Sequence, residues 1–233
     1  MYDLYLEVTM TKKNQEMLLS KVDHTLLNTT ATTTDYLTLC DEGLKFKVAS
    51  VCVPTSRVKL CATHLDGNIA VCTVVGFPNG YMEPKAKAFE ADYAIKQGAT
   101  EIDMVIDLGR VFEGDYDYVL NDIKEVRKAC EGYILKVIIE TANLTNKDKI
   151  ELCDVVSNSG ADYIKTSTGF AGGGATFDDV ELLRKHSKPE LKVKAAGGIT
   201  TLDDALKFVK LGADRLGTSR IVKLIQGLEG SGY

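Results

Sequence analysis

Short apolar runs alternate with amphipathic stretches along almost the whole chain. Residues 48–53, 69–75, 134–139 and 193–196 are apolar and rich in β-branched side chains, as strands buried on both faces are. Between them, residues 85–97, 116–130 and 147–158 repeat their apolar positions at helical spacing. Alternation of this kind, beginning near Lys21, predicts parallel strands joined by crossover helices. Eight strands are predicted near 20–23, 46–53, 69–75, 101–106, 134–140, 163–165, 192–195 and 215–218.

An internal echo supports that division. Gly98-Ala99-Thr100-Glu101-Ile102, Gly160-Ala161-Asp162-Tyr163-Ile164 and Gly212-Ala213-Asp214-Arg215-Leu216 share one pattern. In each, a glycine suits the left-handed end of a helix, an alanine allows close packing, and a strand then begins. Thr34 is predicted to cap a helix beginning at Asp35, Pro54 to stand in the first turn after the second strand, and Thr176 and Thr201 to open capping-box helices. Such turns also occur in open doubly wound sheets. Eight units in 233 residues average roughly 29 residues each, which favours a closed eight-stranded α/β barrel built as one domain. The predicted layout is an N-terminal helical extension over residues 1–19, closing the barrel floor, a barrel over 20–228 and a tail over 229–233.

Composition narrows the class. The chain is 45% hydrophobic and 26% charged with a formal net charge of -5, which excludes disordered and fibrous classes. The lysines and arginines form no basic face of the kind nucleic acid demands. No run of about 18 apolar residues predicts a membrane span, and the first twenty residues lack the order of a signal peptide. The six cysteines form no CxxC pair, the usage of a reduced, cytoplasmic protein.

The informative residues are charges inside strands that should be apolar: Asp23, Asp103, Lys136, Lys165 and Lys194. A buried ion costs several kcal/mol unless it is paired. Lys136 to Lys165, Lys165 to Lys194, and Asp23 to Cys52 each advance by 29 residues, which predicts equivalent positions on neighbouring strands and convergence at one barrel mouth. A lysine beside another cation in a partly desolvated site loses part of its reason to stay protonated, and its amine becomes a nucleophile. Two lysines and a carboxylate therefore point to Schiff-base chemistry on a carbonyl, against the alternative of a purely structural ion-pair network. Thr166-Ser167-Thr168-Gly169 follows Lys165, Ala195-Ala196-Gly197-Gly198 follows Lys194, and the last strand ends in Gly217-Thr218-Ser219. Loops at the carboxyl ends of barrel strands form active sites, and those after the seventh and eighth commonly hold phosphate, helped by exposed N–H groups and a helix N-terminus. His24, His64 and His186 have no metal-ligand spacing, so no metal is predicted. His24 is expected to be a hydrogen-bonded residue at the barrel rim, and Cys52 either touches substrate or fills space.

Together, Tyr-Ile-Lys-Thr-Ser-Thr-Gly around Lys165, Val-Lys-Ala-Ala-Gly-Gly around Lys194, Glu-Ile-Asp-Met-Val around Asp103 and Lys-Val-Asp-His-Thr-Leu-Leu around Asp23 resemble the deoxyribose-phosphate aldolase family from Lys21 to Val222. The resemblance implies a TIM (β/α)8 barrel and a class I aldolase that uses neither metal nor cofactor. It implies reversible cleavage of 2-deoxy-D-ribose 5-phosphate to D-glyceraldehyde 3-phosphate and acetaldehyde in deoxyribonucleotide breakdown, and a homodimer as a common state. Carried over by motif, Lys165 is the Schiff-base amine, Lys194 the cation that activates it and shares its proton network, and Asp103 the acid/base group. Asp23 and Lys136 support that network, Cys52 lines the pocket, and Gly169, Gly197, Gly198, Thr218 and Ser219 hold the phosphate.

The chain departs from the family pattern at Thr200, where a basic residue is usual, and at Arg220, where a small one is common; Arg220 is the candidate to supply the missing charge. Tyr233 stands at the position of a terminal tyrosine that some members bring to the active site. Two alternatives stay open: a transaldolase or other lysine aldolase for a different sugar phosphate, and a barrel that binds sugar phosphate without catalysis.

Overall fold

The computed structural model describes residues 11–228, in which eight parallel strands close into one barrel in sequence order. The strands are β1 (Val22–Thr25), β2 (Ser50–Val53), β3 (Ala70–Val75), β4 (Glu101–Val105), β5 (Ile134–Ile138), β6 (Tyr163–Lys165), β7 (Lys192–Ala196) and β8 (Arg215–Thr218). The helices are α1 (Lys12–Leu19), α2 (Thr33–Phe46), α3 (Val58–Leu65), α4 (Pro84–Lys96), α5 (Leu108–Phe112), α6 (Tyr116–Ala129), α7 (Asn146–Ser157), α8 (Phe177–His186), α9 (Leu202–Lys210) and α10 (Arg220–Ile225). The closed barrel excludes the open-sheet alternative. Of the predicted extension, α1 is present, with Leu18 and Leu19 buried. Its first ten residues and the tail over 229–233, Tyr233 included, lie outside the described residues.

Alternation within each strand sends every second side chain outward to the helices and the others into the barrel. Val51, Val71, Ile102, Val137, Ile164, Val193 and Leu216 belong to the large apolar cluster between sheet and helices. The interior positions are where the charges lie. Gly98, Gly160 and Gly212, the three echo glycines, have φ of 108°, 83° and 107°, and β4, β6 and β8 start three residues after each. Thr176 caps α8, and Thr201 with Asp204 forms a capping box on α9. The cap predicted at Thr34 is instead Thr32, whose hydroxyl accepts from the Asp35 N–H while Asp35 answers at the Thr32 backbone. In that run of threonines, only Thr32 has an acid three residues later. Residues 46–49, predicted as strand, complete the turn after α2: Phe46 ends the helix and Lys47 takes a left-handed conformation.

The 29-residue spacing needs correction. Lys165 is level with Lys194 across β6 and β7, as predicted. Lys136, however, pairs with Tyr163 and Asp103, and Lys165 pairs with Ile138. Likewise Asp23 is level with Ser50, and Cys52 with Thr25. Loop and helix lengths differ between units, so a constant sequence step is not a constant height. The displacement is two residues in each case, which preserves the face and moves Lys136 and Asp23 one interior position deeper.

Among the described residues, two buried ion pairs lie outside the barrel: Lys149 with Asp179 between α7 and α8 at 2.5 Å, and a more deeply buried one between α4 and α6. Lys87 of α4 meets Asp122 of α6 at 2.6 Å with both side chains fully buried, and Lys87 also donates to the Val105 carbonyl at 2.9 Å. Removing a single partner strands a charge, at a cost of about 3–5 kcal/mol, whereas an apolar pair of similar volume is often tolerated. Asp122→Ala is therefore expected to lower the unfolding free energy by that amount, read as a lower denaturant midpoint, and Lys87→Met with Asp122→Leu to recover most of it. Equal midpoints for Asp122→Ala and the unaltered protein would contradict this account.

Candidate active site

The interior positions of β1, β4, β5, β6, β7 and β8 place four cations against three carboxylates. Asp103 is the centre. Its Oδ1 accepts from Lys136 Nζ at 2.8 Å and from Cys72 Sγ at 3.1 Å. Its Oδ2 accepts from Lys165 Nζ at 2.8 Å and from Lys194 Nζ at 2.6 Å. One layer deeper, Lys136 reaches Glu101 at 2.6 Å and Asp23 at 3.6 Å. Asp23 also meets Lys194 at 2.5 Å, Arg215 at 2.5 Å and the Ser50 hydroxyl at 2.7 Å. Arg215 closes the ring on Glu101 at 3.1 Å. Room for this is made locally: a Cβ on Gly217 would stand 3.0 Å from Lys194 Cε, so β8 has no side chain where β7 sends its lysine inward.

Burial and charge oppose each other here, and charge wins. Burial alone pushes the Asp103 carboxyl up, but Lys136, Lys165 and Lys194 outweigh it and hold the group well below the usual carboxylate range. Asp23 is lowered in the same way, with Lys194, Lys136 and Arg215 overcoming burial. Burial pulls the Lys194 ammonium down, and Asp103 and Asp23 more than reverse this. Lys136 is likewise raised well above the ordinary lysine range. Lys194 thus stays a cation and Asp103 an anion. The surplus of one positive charge is carried by a ring in which Lys136, Lys194 and Arg215 each touch at least two carboxylates and Lys165 touches one.

The predicted residues Asp23, Asp103, Lys136, Lys165 and Lys194 are all in this network. Cys52 reaches it only through Cys72, whose thiol it meets and which donates to Asp103. It lies level with Cys72 across β2 and β3, in a small apolar cluster with Leu27, Val74 and Phe77. That cluster adjoins a cavity of ≈ 440 Å³ lined by Leu27, Pro54, Val74, Phe77 and Phe170 among others. Gly197, Gly198, Thr218 and Ser219 line a second cavity of ≈ 170 Å³ with Thr200 and Arg220. Gly169 approaches Gly197 from the loop after β6. The Arg220 Nε is buried without a hydrogen-bond partner. The helix predicted to aim its N-terminus here, α10, is only six residues long. His24 is hydrogen-bonded to Glu42 at 2.8 Å, as expected of a rim residue.

Glu101, Arg215, Ser50 and Cys72 were missed by the sequence reading. Glu101 was within reach of the period-two rule, since it stands two residues before Asp103 and shares its face. Arg215 was read only as part of a turn echo. Two buried groups, Cys52-Cys72-Asp103 and Asp23-Cys72-Glu101, have metal-ligand proximity. Their carboxylate oxygens are already engaged by ammonium and guanidinium groups, which a metal ion would have to displace.

A closed barrel with clustered lysines, a central carboxylate and a phosphate-sized pocket at the strand ends defines an aldolase barrel of the lysine type. The chain belongs to the DeoC/LacD aldolase family, whose description matches residues 17–228. A Streptococcus agalactiae deoxyribose-phosphate aldolase is 54% identical over 209 residues, 90% of this chain and 94% of the relative. A crystal structure from Coccidioides immitis bearing the deoxyribose-phosphate aldolase name superposes with TM-score 0.88 at 39% identity, covering 91% of this chain and 85% of the other. The tetrameric deoxyribose phosphate aldolase from Aeropyrum pernix gives TM-score 0.85 at 31% identity, with 91% of both chains covered.

Stability should follow the network's charges. Asp23 and Asp103 are lowered from 3.8 on folding, so their contribution is complete above that value and is lost as pH falls through the folded values. Asp23→Asn is expected to cost about 3 kcal/mol near neutral pH. Its deficit relative to the unaltered protein should shrink below about pH 4. A deficit in denaturant midpoint that stays constant down to about pH 3 would be inconsistent with this linkage.

Proposed function

We propose that the chain acts as a deoxyribose-phosphate aldolase, splitting 2-deoxy-D-ribose 5-phosphate into glyceraldehyde 3-phosphate and acetaldehyde through a Schiff base on Lys165. The observation that carries this reading is that Lys165 and Lys194 stand level on adjacent strands and share one oxygen of Asp103. In the synthetic direction, each step of which reverses in cleavage, the Lys165 amine attacks the acetaldehyde carbonyl, forming a C–N bond, and the carbinolamine loses water to give an iminium ion. That ion draws electrons from the neighbouring carbon, which loses a proton to become an enamine. The enamine then forms the C–C bond to the acceptor aldehyde, whose oxygen takes up a proton, and water releases the product.

The residues have separable parts in this scheme. Lys165 makes a single carboxylate contact, to Asp103, whereas Lys194, held as a cation, touches both Asp103 and Asp23. Asp103, held ionised, receives protons and orders the donors around it rather than arriving protonated. Asp23 and Lys136 keep this pattern of charge in place. The ≈ 170 Å³ pocket, with Gly197, Gly198, Thr218, Ser219 and the unpartnered Arg220 Nε, suits the phosphate, Arg220 supplying the charge that Thr200 does not. The buried, unpaired cysteines suit a reducing compartment such as the cytoplasm. A homodimer is the proposed assembly, with the tetramer of the Aeropyrum pernix relative as the competing outcome in sedimentation.

Borohydride reduction in the presence of acetaldehyde is expected to leave a two-carbon adduct on Lys165, read by mass spectrometry, and none in Lys165→Leu. Lys194→Met should slow trapping by about 100-fold. An adduct with a ketose phosphate but not acetaldehyde would point to a transaldolase, and none with any carbonyl to a binding barrel. Arg220→Ala should raise KM for the phosphorylated sugar about tenfold or more while acetaldehyde trapping persists. An unchanged KM would remove Arg220 from the phosphate site.

A further inference from the structure

Beyond the lysine network and its three carboxylates, the mouth of the barrel contains a further buried carboxylate. Glu140 follows β5 and is 2% exposed. It continues the inward series Lys136, Ile138, Glu140, and its backbone is left-handed at φ 55° and ψ 65°, a conformation uncommon for a residue with a Cβ. The Thr168 N–H donates to Glu140 Oε2 at 3.1 Å, and the Thr168 hydroxyl donates to the same oxygen. The Thr168 Oγ1 in turn accepts the Phe170 N–H at 3.0 Å. Below this latch the chain ends of β5 and β6 stay joined: Ile139 N–H donates to the Lys165 carbonyl at 3.0 Å and Thr141 N–H to the Thr166 carbonyl at 2.9 Å.

The latched loop connects the two halves of the site. At one end it begins at Lys165, and Ser167, two residues on and buried on the same face, has a hydroxyl without a partner. At the other end it packs on the loop after β7. A Cβ on Gly197 would lie 3.1 Å from Gly174 Cα and 3.6 Å from Gly169 Cα, and Ala175 N–H donates to the Ala196 and Gly197 carbonyls at 3.0 and 3.2 Å. Backbones this close transmit any shift of one loop directly to the other. The hydroxyl of Thr168 is committed on both sides, which leaves it a strut and leaves Ser167 as the hydroxyl open to substrate.

We infer that Glu140 is a positioning residue. By latching Thr168 it fixes the Lys165 loop, and through that loop the glycine cradle at Gly197 and Gly198, so that a phosphorylated sugar meets the reactive amine at the right distance. This rests on the aldolase reading for its substrate but not for its phosphate. Misplacement of a reacting group by about 1 Å is enough to cost up to 100-fold in rate, so the latch has a large effect to exert without touching the reacting atoms.

Three single variants of the full-length protein and one double variant test it. Glu140→Gly suits the left-handed backbone while removing the carboxylate, Thr168→Val removes the donor hydroxyl at constant shape, and Glu140→Gln keeps an oxygen that accepts both bonds. Glu140→Gly and Thr168→Val are each expected to raise KM for 2-deoxyribose 5-phosphate and the calorimetric Kd for inorganic phosphate about tenfold. Borohydride trapping of acetaldehyde on Lys165 should stay near the unaltered level. Glu140→Gln should restore both constants to within a few-fold, and the Glu140→Gly, Thr168→Val double variant should be no worse than either single one. Unchanged phosphate binding in Glu140→Gly, additive losses in the double variant, or damage by Glu140→Gln equal to that of Glu140→Gly would each overturn the proposal. So would loss of the acetaldehyde adduct in Thr168→Val. Failure of the unaltered protein to form the adduct would count against the aldolase reading alone, because the phosphate measurement needs no turnover.

Discussion

The carboxylate of Asp103 is shared by three ammonium groups in a barrel interior where all four side chains are buried, and the charge pattern of the site depends on that crowding. A lone carboxylate there would be protonated and a lone lysine neutral, because neither ion is stable without its hydration shell. Together they ionise one another: Lys136, Lys165 and Lys194 contact Asp103 at 2.6–2.8 Å. The barrel interior is therefore held by reciprocal charge, while the apolar cluster lies between the sheet and the helices. Each carboxylate of the network is held by at least two cations, so the loss of any one leaves its partners still engaged.

The division of labour between layers follows. Asp23, Glu101, Lys136 and Arg215 lie deeper, with Asp23 and Lys136 completely buried. They neutralise one another and fix the orientation of the groups above. Lys165 is one interior position nearer the strand end than Lys136, and Lys194 stands level with both Lys165 and Arg215. The network is continuous from layer to layer, since Asp103 is level with Lys136 and Lys194 with Arg215.

The loops after β5, β6 and β7 continue this logic in backbone rather than charge. Glycines at 169, 174, 197 and 198 let two loops stack with almost no side-chain material between them, which turns two flexible segments into one surface. Glu140 ties that surface to β5. A site for a small anion next to a nucleophile needs both features: exposed amides that can approach the anion, and a frame stiff enough to hold it at one distance from the amine.

Much of this was legible in the chain as written. Apolar runs alternating with amphipathic stretches determined eight strand-helix units, because burial on both faces of a parallel sheet leaves no other pattern. The charges at 23, 103, 136, 165 and 194 marked the site, since an ion in such a strand needs partners. The motifs around Lys165 and Lys194 determined the family. The tertiary structure alone decided which carboxylate meets which cation. Spacing by 29 residues is correct for Lys165 and Lys194 but two residues off for Lys136 and for Asp23 against Cys52, because helix and loop lengths vary from unit to unit. Glu101 and Arg215, separated by more than a hundred residues, meet only when β8 closes against β1. Glu140 reads in sequence as the end of a strand. Its role depends on a left-handed turn and on a threonine of the next strand's loop, and neither leaves a periodic signal, because each is set by contacts across the barrel mouth.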